Sequence, residues 1–288
     1  MPMALQAQNL VDDVGPLLSL PELVLKINEM VNREDSNASE IGQAISQDPA
    51  LSTRILRVAN SPMYSSTRQV DSITRAVTLL GTKQIRDLVL SASAAKVFEG
   101  IPNDVISVED FWHHSLYCAL LARALAGVSR RVNSETMFTA GLLHDVGHLV
   151  MFNRIPEEAQ AAILLTIQGD ADRDLYEAEQ EILGFTHCDV GASLAERWHL
   201  PDVLIECIAY HHHPSQAQHF AGAVAHVHIA NAIASLPYSD TPVVEDLQRV
   251  DGNAWAMAGV TPADIGPVVQ KAQSQLSETQ KALFGDAG

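Results

Sequence analysis

Apolar positions along the 288-residue chain recur every three to four residues instead of alternating, which is the period of helices and not of strands. Leu23, Ile27, Met30 and Val31 share one face behind Ser19-Leu-Pro21, a cap followed by a turn-opening proline. Ser39 opens a short helix, and Asp48-Pro49 caps another that aligns Leu51, Ile55, Leu56 and Ala59. A helix over 72–80 stops at Gly81, and Thr82 caps the next, with Ile85, Leu88, Val89 and Ala92 on its face. Beyond residue 106 the pattern predicts helices over 109–126 (ending at Gly127), from Ser134 through Leu143, over 171–183 (ending at Gly184) and from Thr186 to about Trp198. Two more follow, one opened by Pro201 and ending at the His211-His-His run, the other over 220–236 and stopped by Pro237. With no alternating run and no Asn-Gly hairpin turn, the predicted fold class is all-α.

Composition agrees and then divides the chain. Apolar residues make up 47% and charged residues 18%, enough to bury a sizeable core. The net charge of −17 is unevenly spread: residues 1–106 carry nine Lys/Arg against twelve Asp/Glu, and residues 107–288 nine against twenty-three. All twelve histidines lie between His113 and His228. These shifts predict an amino-terminal helical lobe over 1–106, a histidine-bearing lobe over 107–240 and a helical extension over 241–288, the first join falling near residues 100–104. Net acidity argues against non-specific nucleic-acid binding, which needs cations to displace counterions, and against docking on an anionic membrane. No apolar stretch reaches about 18 residues, and the first fifteen residues lack the basic start of a signal peptide, so a cytoplasmic protein is expected. Cys118, Cys188 and Cys207 form neither a disulfide framework nor a Cys-x-x-Cys zinc motif. The acidic run Asp170, Asp172, Asp174, Glu177, Glu179, Glu181 lacks the glycine of a calcium loop and reads as a solvated helix face.

Chemistry concentrates in the second half. A His144-Asp145 doublet inside the apolar run from Ala140 to His148 is costly to bury unless both groups have partners. A core hydrogen bond or a metal ion would serve, and imidazole with carboxylate is a common ligand set. His114 sits in another apolar helix, His187 at the start of a third and His211-His212 at the end of a fourth; several helices presenting histidines inward is how bundles build metal sites. His113, His199, His213, His219, His226 and His228 read as ordinary surface or core histidines.

His114, the His144-Asp145 doublet, His187 and the His211-His212 pair resemble the ordered motifs of the HD superfamily of metal-dependent phosphohydrolases. The segments Ile45-Ser-Gln-Asp-Pro-Ala-Leu51, Arg54-Ile-Leu-Arg-Val-Ala-Asn-Ser61 and Ala76-Val-Thr-Leu-Leu-Gly81 resemble the HDOD-domain signature. Gly141-Leu-Leu-His-Asp-Val-Gly147 and Trp198-His-Leu-Pro201 are similar to that family's second half, and the match runs over about 15–214. The resemblance implies two helical lobes, the second an HD-type bundle, and His114, His144, Asp145, His187, His211 and His212 as metal ligands, with Asp145 also the candidate catalytic carboxylate. Three departures from the related HD-GYP phosphodiesterases stand out. Asn231 occupies the place of a charged metal ligand and is left a weak ligand at best; His148 stands where a phosphate-holding lysine is expected; and no Gly-Tyr-Pro loop follows the histidine pair. Cleavage of cyclic di-GMP in that manner is therefore not expected.

An imidazole-rich set with few carboxylates favours Fe, Ni, Mn or Zn over Mg or Ca. Bacterial signal transduction through protein contacts, with a degenerate metal site, is the function the resemblance implies. The alternatives are a metal-dependent phosphohydrolase of a nucleotide or other phosphate ester, and a di-iron redox or oxygen sensor. Arg54/Arg57 and Lys83/Arg86 are i,i+3 pairs in a basic stretch of the first half. They are the candidate surface for an acidic protein partner, the alternative being pairing with the acidic second half. Nothing in the pattern sets an oligomeric state.

Overall fold

The computed structural model describes residues 6–12, 20–33, 37–64, 70–97, 107–168, 174–236 and 247–284. Among these residues all regular secondary structure is helical. Before residue 98 lie α1 (Ala7–Asp12), α2 (Glu22–Asn32), α3 (Ala38–Ser46), α4 (Pro49–Ala59), α5 (Ile73–Leu80) and α6 (Thr82–Val97). Between residues 107 and 236 lie α7 (Val108–Ser129), α8 (Ser134–Leu143), α9 (Val146–Arg154), α10 (Pro156–Gln168), α11 (Leu175–Leu183), α12 (His187–Arg197), α13 (Asp202–Tyr210) and α14 (Ala221–Ala234). Two further helices, α15 (Ala254–Ala258) and α16 (Ile265–Phe284), follow. The expected lobe join at 100–104 lies outside the described residues, as do Ser19, Arg68, Asp170, Asp172 and Pro237.

Local chemistry sets most helix ends where the pattern places them. Asn37 accepts the Ser39 and Glu40 N–H groups to start α3, and Asp48 accepts those of Ala50 and Leu51 to start α4, with Pro49 in the first turn. Asn133 does the same for α8. Gly184 takes a left-handed φ of 77° to close α11. Boundaries differ at α3, which Asn37 caps ahead of the expected Ser39, and at α7, which continues through Gly127 to Ser129 because it is Arg130, at φ 55°, that turns the chain.

Apolar residues from Leu10 to Leu283 form one continuous buried cluster, so the helices before residue 98 share a core with those after residue 106. α7 is apolar nearly all round because α8, α14 and α16 enclose it. α16 also packs on α4, and α1 crosses over to α12. Polar ties span the same boundary. The Asn28 side chain donates to His199 O at 2.9 Å, and Glu135 receives Arg123 at 2.8–2.9 Å and the Tyr64 hydroxyl.

Arg86 departs from its expected place on a surface. Only 8% exposed, it pairs with Asp87 at 2.8 Å, since a guanidinium this deep needs a carboxylate partner. Arg54 is half-buried and donates to Ala92 O at 2.7 Å. Arg57 and Lys83 are exposed, so of the four cations named for an interaction surface those two face solvent fully.

Candidate metal centre

Helix ends supply most of the site. His144 is the residue after α8, Asp145 precedes α9, His187 is the first residue of α12, and His211 follows α13. His114 and Asn231 project from the interiors of α7 and α14. Two glycine contacts bring these elements close enough. A Cβ on Gly147 would lie 1.9 Å from His187 O and 2.7 Å from the Gly191 N, so α9 and α12 touch backbone to backbone. A Cβ on Gly141 would lie 2.7 Å from the Ala119 Cα, which lets α8 lie against α7.

The Asp145 carboxylate is the hub. Its Oδ1 lies 3.3 Å from His187 Nε2 and 3.3 Å from His211 Nε2. Its Oδ2 lies 3.2 Å from His144 Nε2, 3.8 Å from His114 Nε2 and 3.9 Å from His148 Nδ1. His212 completes the group, with its ring centroid 4.3 Å from that of His211 and stacked on Tyr176 at 4.6 Å. All the residues anticipated as metal ligands are therefore neighbours in one site. Asn231 joins them: its Oδ1 is 3.1 Å from His114 Nε2, so its side chain does point into the cluster. His148 stacks on His187, with centroids 3.8 Å apart, and its Nε2 is bonded to Glu179 at 2.9 Å.

Three imidazoles are locked in one tautomer. His144 Nδ1 donates to Gly141 O at 2.8 Å, and His211 Nδ1 donates to Ile208 O at 3.0 Å. His187 Nδ1 donates to Glu179 Oε2 at 2.7 Å. Carbonyl and carboxylate oxygens only accept, so each Nδ1 carries a hydrogen and each ring turns its Nε2 toward Asp145. His144 Nε2 and Asp145 Oδ1 are buried and have no hydrogen-bond partner. A metal ion among these atoms would satisfy nitrogens and carboxylate together, and the hydrogen bonds at the three Nδ1 atoms are of the kind that orient metal ligands.

The electrostatics express the same demand. Burial opposes charge on His144, yet Asp145 outweighs it and raises the imidazole well above its usual range. Burial alone would raise Asp145, but His144 and the hydrogen bonds of its neighbours hold it well below the carboxylate range. Glu179 is treated alike by His187 and His148. Burial would push up the Cys188 thiol, but His187 and His211 pull it down to about 5. Burial and the neighbouring His144 charge hold His114 neutral to about 4.

Two participants went unrecognised in the sequence. Glu179, in the run taken for a solvated face, is 2% exposed and also accepts the backbone N–H of His187 at 2.9 Å. The signal was present: with Leu175, Ala178 and Leu183 it falls on the apolar stripe of α11. Cys188, set aside for lack of a cysteine motif, places Sγ 3.5 Å from His187 Nε2. Among the histidines expected to be ordinary, His226 bonds Ser129 Oγ at 2.8 Å and His228 bonds His211 O at 2.7 Å.

The family model for the HDOD domain matches residues 17–214. The chain belongs to the HDOD-domain family. A crystal structure of an HDOD domain protein of unknown function from Geobacter sulfurreducens is similar, with 26% identity and a TM-score of 0.75 over 96% of this chain and 97% of that one. A protein from Shewanella amazonensis SB2B, named as a candidate phosphohydrolase, gives 27% identity and 0.76 over 95% and 97%. A curated relative from Treponema pallidum (strain Nichols), called an uncharacterized protein, is 27% identical over 238 residues. That alignment takes in 82% of this HDOD chain and 45% of the relative, so the chain spans about half the relative's length. No helix among the described residues is long and apolar enough to cross a membrane.

Proposed function

We propose that this HDOD chain is a bacterial regulatory module that holds a divalent transition metal at Asp145 and acts in signalling through contact with a protein partner. The observation that carries the metal is the convergence of the His144, His187 and His211 Nε2 atoms on one carboxylate. His144, His187, His211 and Asp145 would hold the metal, with His114 and His212 at its edge; Asn231 brings an amide oxygen and no charge. Nitrogen-rich ligation suits Zn, Fe, Ni or Mn.

Two features favour regulation over turnover. Phosphoryl transfer needs cations to steady the phosphate, yet among the described residues no Lys or Arg pairs with Asp145 or Glu179, whose side-chain partners are imidazoles. His148 is engaged between Glu179 and the His187 ring, so it orients the cluster and is not free to meet a phosphate.

A second reading, metal-dependent phosphoester hydrolysis, is favoured by the split of the Asp145 carboxylate. Oδ1 faces His187 and His211 while Oδ2 faces His144 and His114, the arrangement of a ligand shared between two metals. Bound metals would supply an activated water at neutral pH. The chain's own residues would then hold the metals and keep Asp145 ionised.

The readings separate in one assay. The full chain loaded with Mn²⁺, Fe²⁺ or Zn²⁺ is offered p-nitrophenyl phosphate, bis-p-nitrophenyl phosphate, GTP and cyclic di-GMP, beside Asp145→Ala. The regulatory reading expects equal background rates from both. Metal-dependent turnover that Asp145→Ala abolishes would overturn it in favour of hydrolysis.

A further inference from the structure

Nothing in the HD-type pattern calls for sulfur, yet Cys188 reaches the same cluster. The residue follows His187 in the first turn of α12, and its thiol is buried against the rings of His187 and His211. Cys188 Sγ is 3.5 Å from His187 Nε2 and 4.0 Å from His211 Nε2. Those two nitrogens are 3.4 Å apart, and each is 3.3 Å from Asp145 Oδ1. His212 offers a nitrogen within 4.8 Å of the His187, Cys188 and His211 ligand atoms.

These separations are those of a tetrahedron's edges. Zinc bonds of about 2.0–2.1 Å to nitrogen and about 2.3 Å to sulfur give N···N edges near 3.3–3.4 Å and N···S edges near 3.5–3.6 Å. Carboxylate oxygen at about 2.0–2.2 Å gives O···N edges of about 3.3–3.5 Å. Four edges of such a tetrahedron meet these values; Sγ, 4.0 Å from His211 Nε2 and 3.9 Å from its Nδ1, must shift to close the edge to His211. The buried Asp145 Oδ1 has no hydrogen-bond donor of its own, which marks the fourth vertex.

We infer that Cys188 is a thiolate ligand, completing a tetrahedral site with His187, His211 and Asp145 Oδ1 that selects a soft divalent ion, zinc above all, over manganese or magnesium. The inference rests on the metal reading above and narrows it. A Cys/His/carboxylate set is a zinc-type set, and thiolate disfavours hard ions.

The test uses the full chain, stripped with chelator and reloaded with one equivalent of Zn²⁺ or Co²⁺. X-ray absorption at the zinc edge should show a sulfur shell at about 2.3 Å beside the nitrogen and oxygen shell. The cobalt form should show a thiolate-to-cobalt charge-transfer band in the near ultraviolet. Cys188→Ser should abolish the band and weaken zinc binding at least tenfold, while Cys207→Ala, which removes a buried thiol outside the cluster, keeps both. Zinc bound stoichiometrically without a sulfur shell, or a band that survives Cys188→Ser, would overturn the thiolate and leave the metal centre standing. Failure of the wild-type chain to bind either ion would overturn both. The absorption measurement needs no variant, so a poorly folding Cys188→Ser does not protect the inference.

Discussion

Glu179→Gln tests whether the surroundings of the histidines, and not the ligands alone, make the site. Glu179 holds His187 by Nδ1 at 2.7 Å and by the backbone N–H at 2.9 Å, and holds His148 Nε2 at 2.9 Å. Glutamine keeps the shape and one acceptor oxygen but loses the charge. Turned so that its oxygen still meets His187, it presents its NH2 to His148, which accommodates it by moving its own proton to Nδ1. The main loss is then a charge-assisted bond to His187 becoming a neutral one, about 1–2 kcal/mol. In the chelated protein this amounts to a few degrees of Tm for a chain of this size. With metal the effect is larger, because an imidazole whose Nδ1–H is held by a carboxylate is the better ligand; loss of such a partner lowers affinity 10–100-fold, or about 1.4–2.8 kcal/mol. The assay is competition for Zn²⁺ against a chromophoric chelator, with circular dichroism to confirm folding. A folded Glu179→Gln whose zinc affinity matches the wild type within twofold would refute the reasoning.

Three other outcomes are expected. Asn231→Asp adds a charged ligand beside His114, so it should raise Mn²⁺ or Ni²⁺ affinity several-fold and enlarge the metal-induced rise in Tm, while being neutral or destabilising in EDTA; an equal rise in both proteins would contradict this. Gly147→Ala places a methyl where His187 O lies 1.9 Å away, so it should cost at least 3 kcal/mol in denaturant unfolding and loosen metal binding, whereas Gly252→Ala, with nothing near its Cβ, should change stability by under about 0.5 kcal/mol. His114 is held neutral to about 4, below its ordinary 6.5, so the unfolded chain binds the extra proton between those values and this group's contribution falls as pH drops through that window. In EDTA the wild type should therefore lose more stability from pH 6.5 to 4 than His114→Gln does; parallel pH profiles would show that His114 does not titrate this way.

Much of this fold and site is legible in the sequence because its determinants are local. Asp48-Pro49, Asn133 and Gly184 fix helix ends through bonds within a few residues. The histidines that gather at Asp145 stand out because imidazole is rarely placed in apolar runs without a partner. Other features depend on what lies across the core. Whether Arg86 faces solvent is decided by the packing of α6 on α2 and α8, and its sequence neighbour Asp87 serves as its counter-ion once both are buried. Glu179 sits among acidic residues that are solvated, and only its register on the apolar stripe of α11 separates it from them. Cys188 carries no motif because its partners lie on other helices; the backbone contact of Gly147 with α12 is what brings it to Asp145.

The central claim is that the Nε2 atoms gathered on Asp145 make a metal centre. Its most direct test is the metal content of the full chain, purified without chelator and without a polyhistidine tag, by inductively coupled plasma mass spectrometry. The account predicts at least about one equivalent of a transition metal per chain, a number set by the single shared carboxylate, falling to background in a folded His144→Ala/His187→Ala variant. Wild-type protein that carries less than about a tenth of an equivalent, and gains no thermal stability from added Zn²⁺, Mn²⁺ or Fe²⁺, would contradict it.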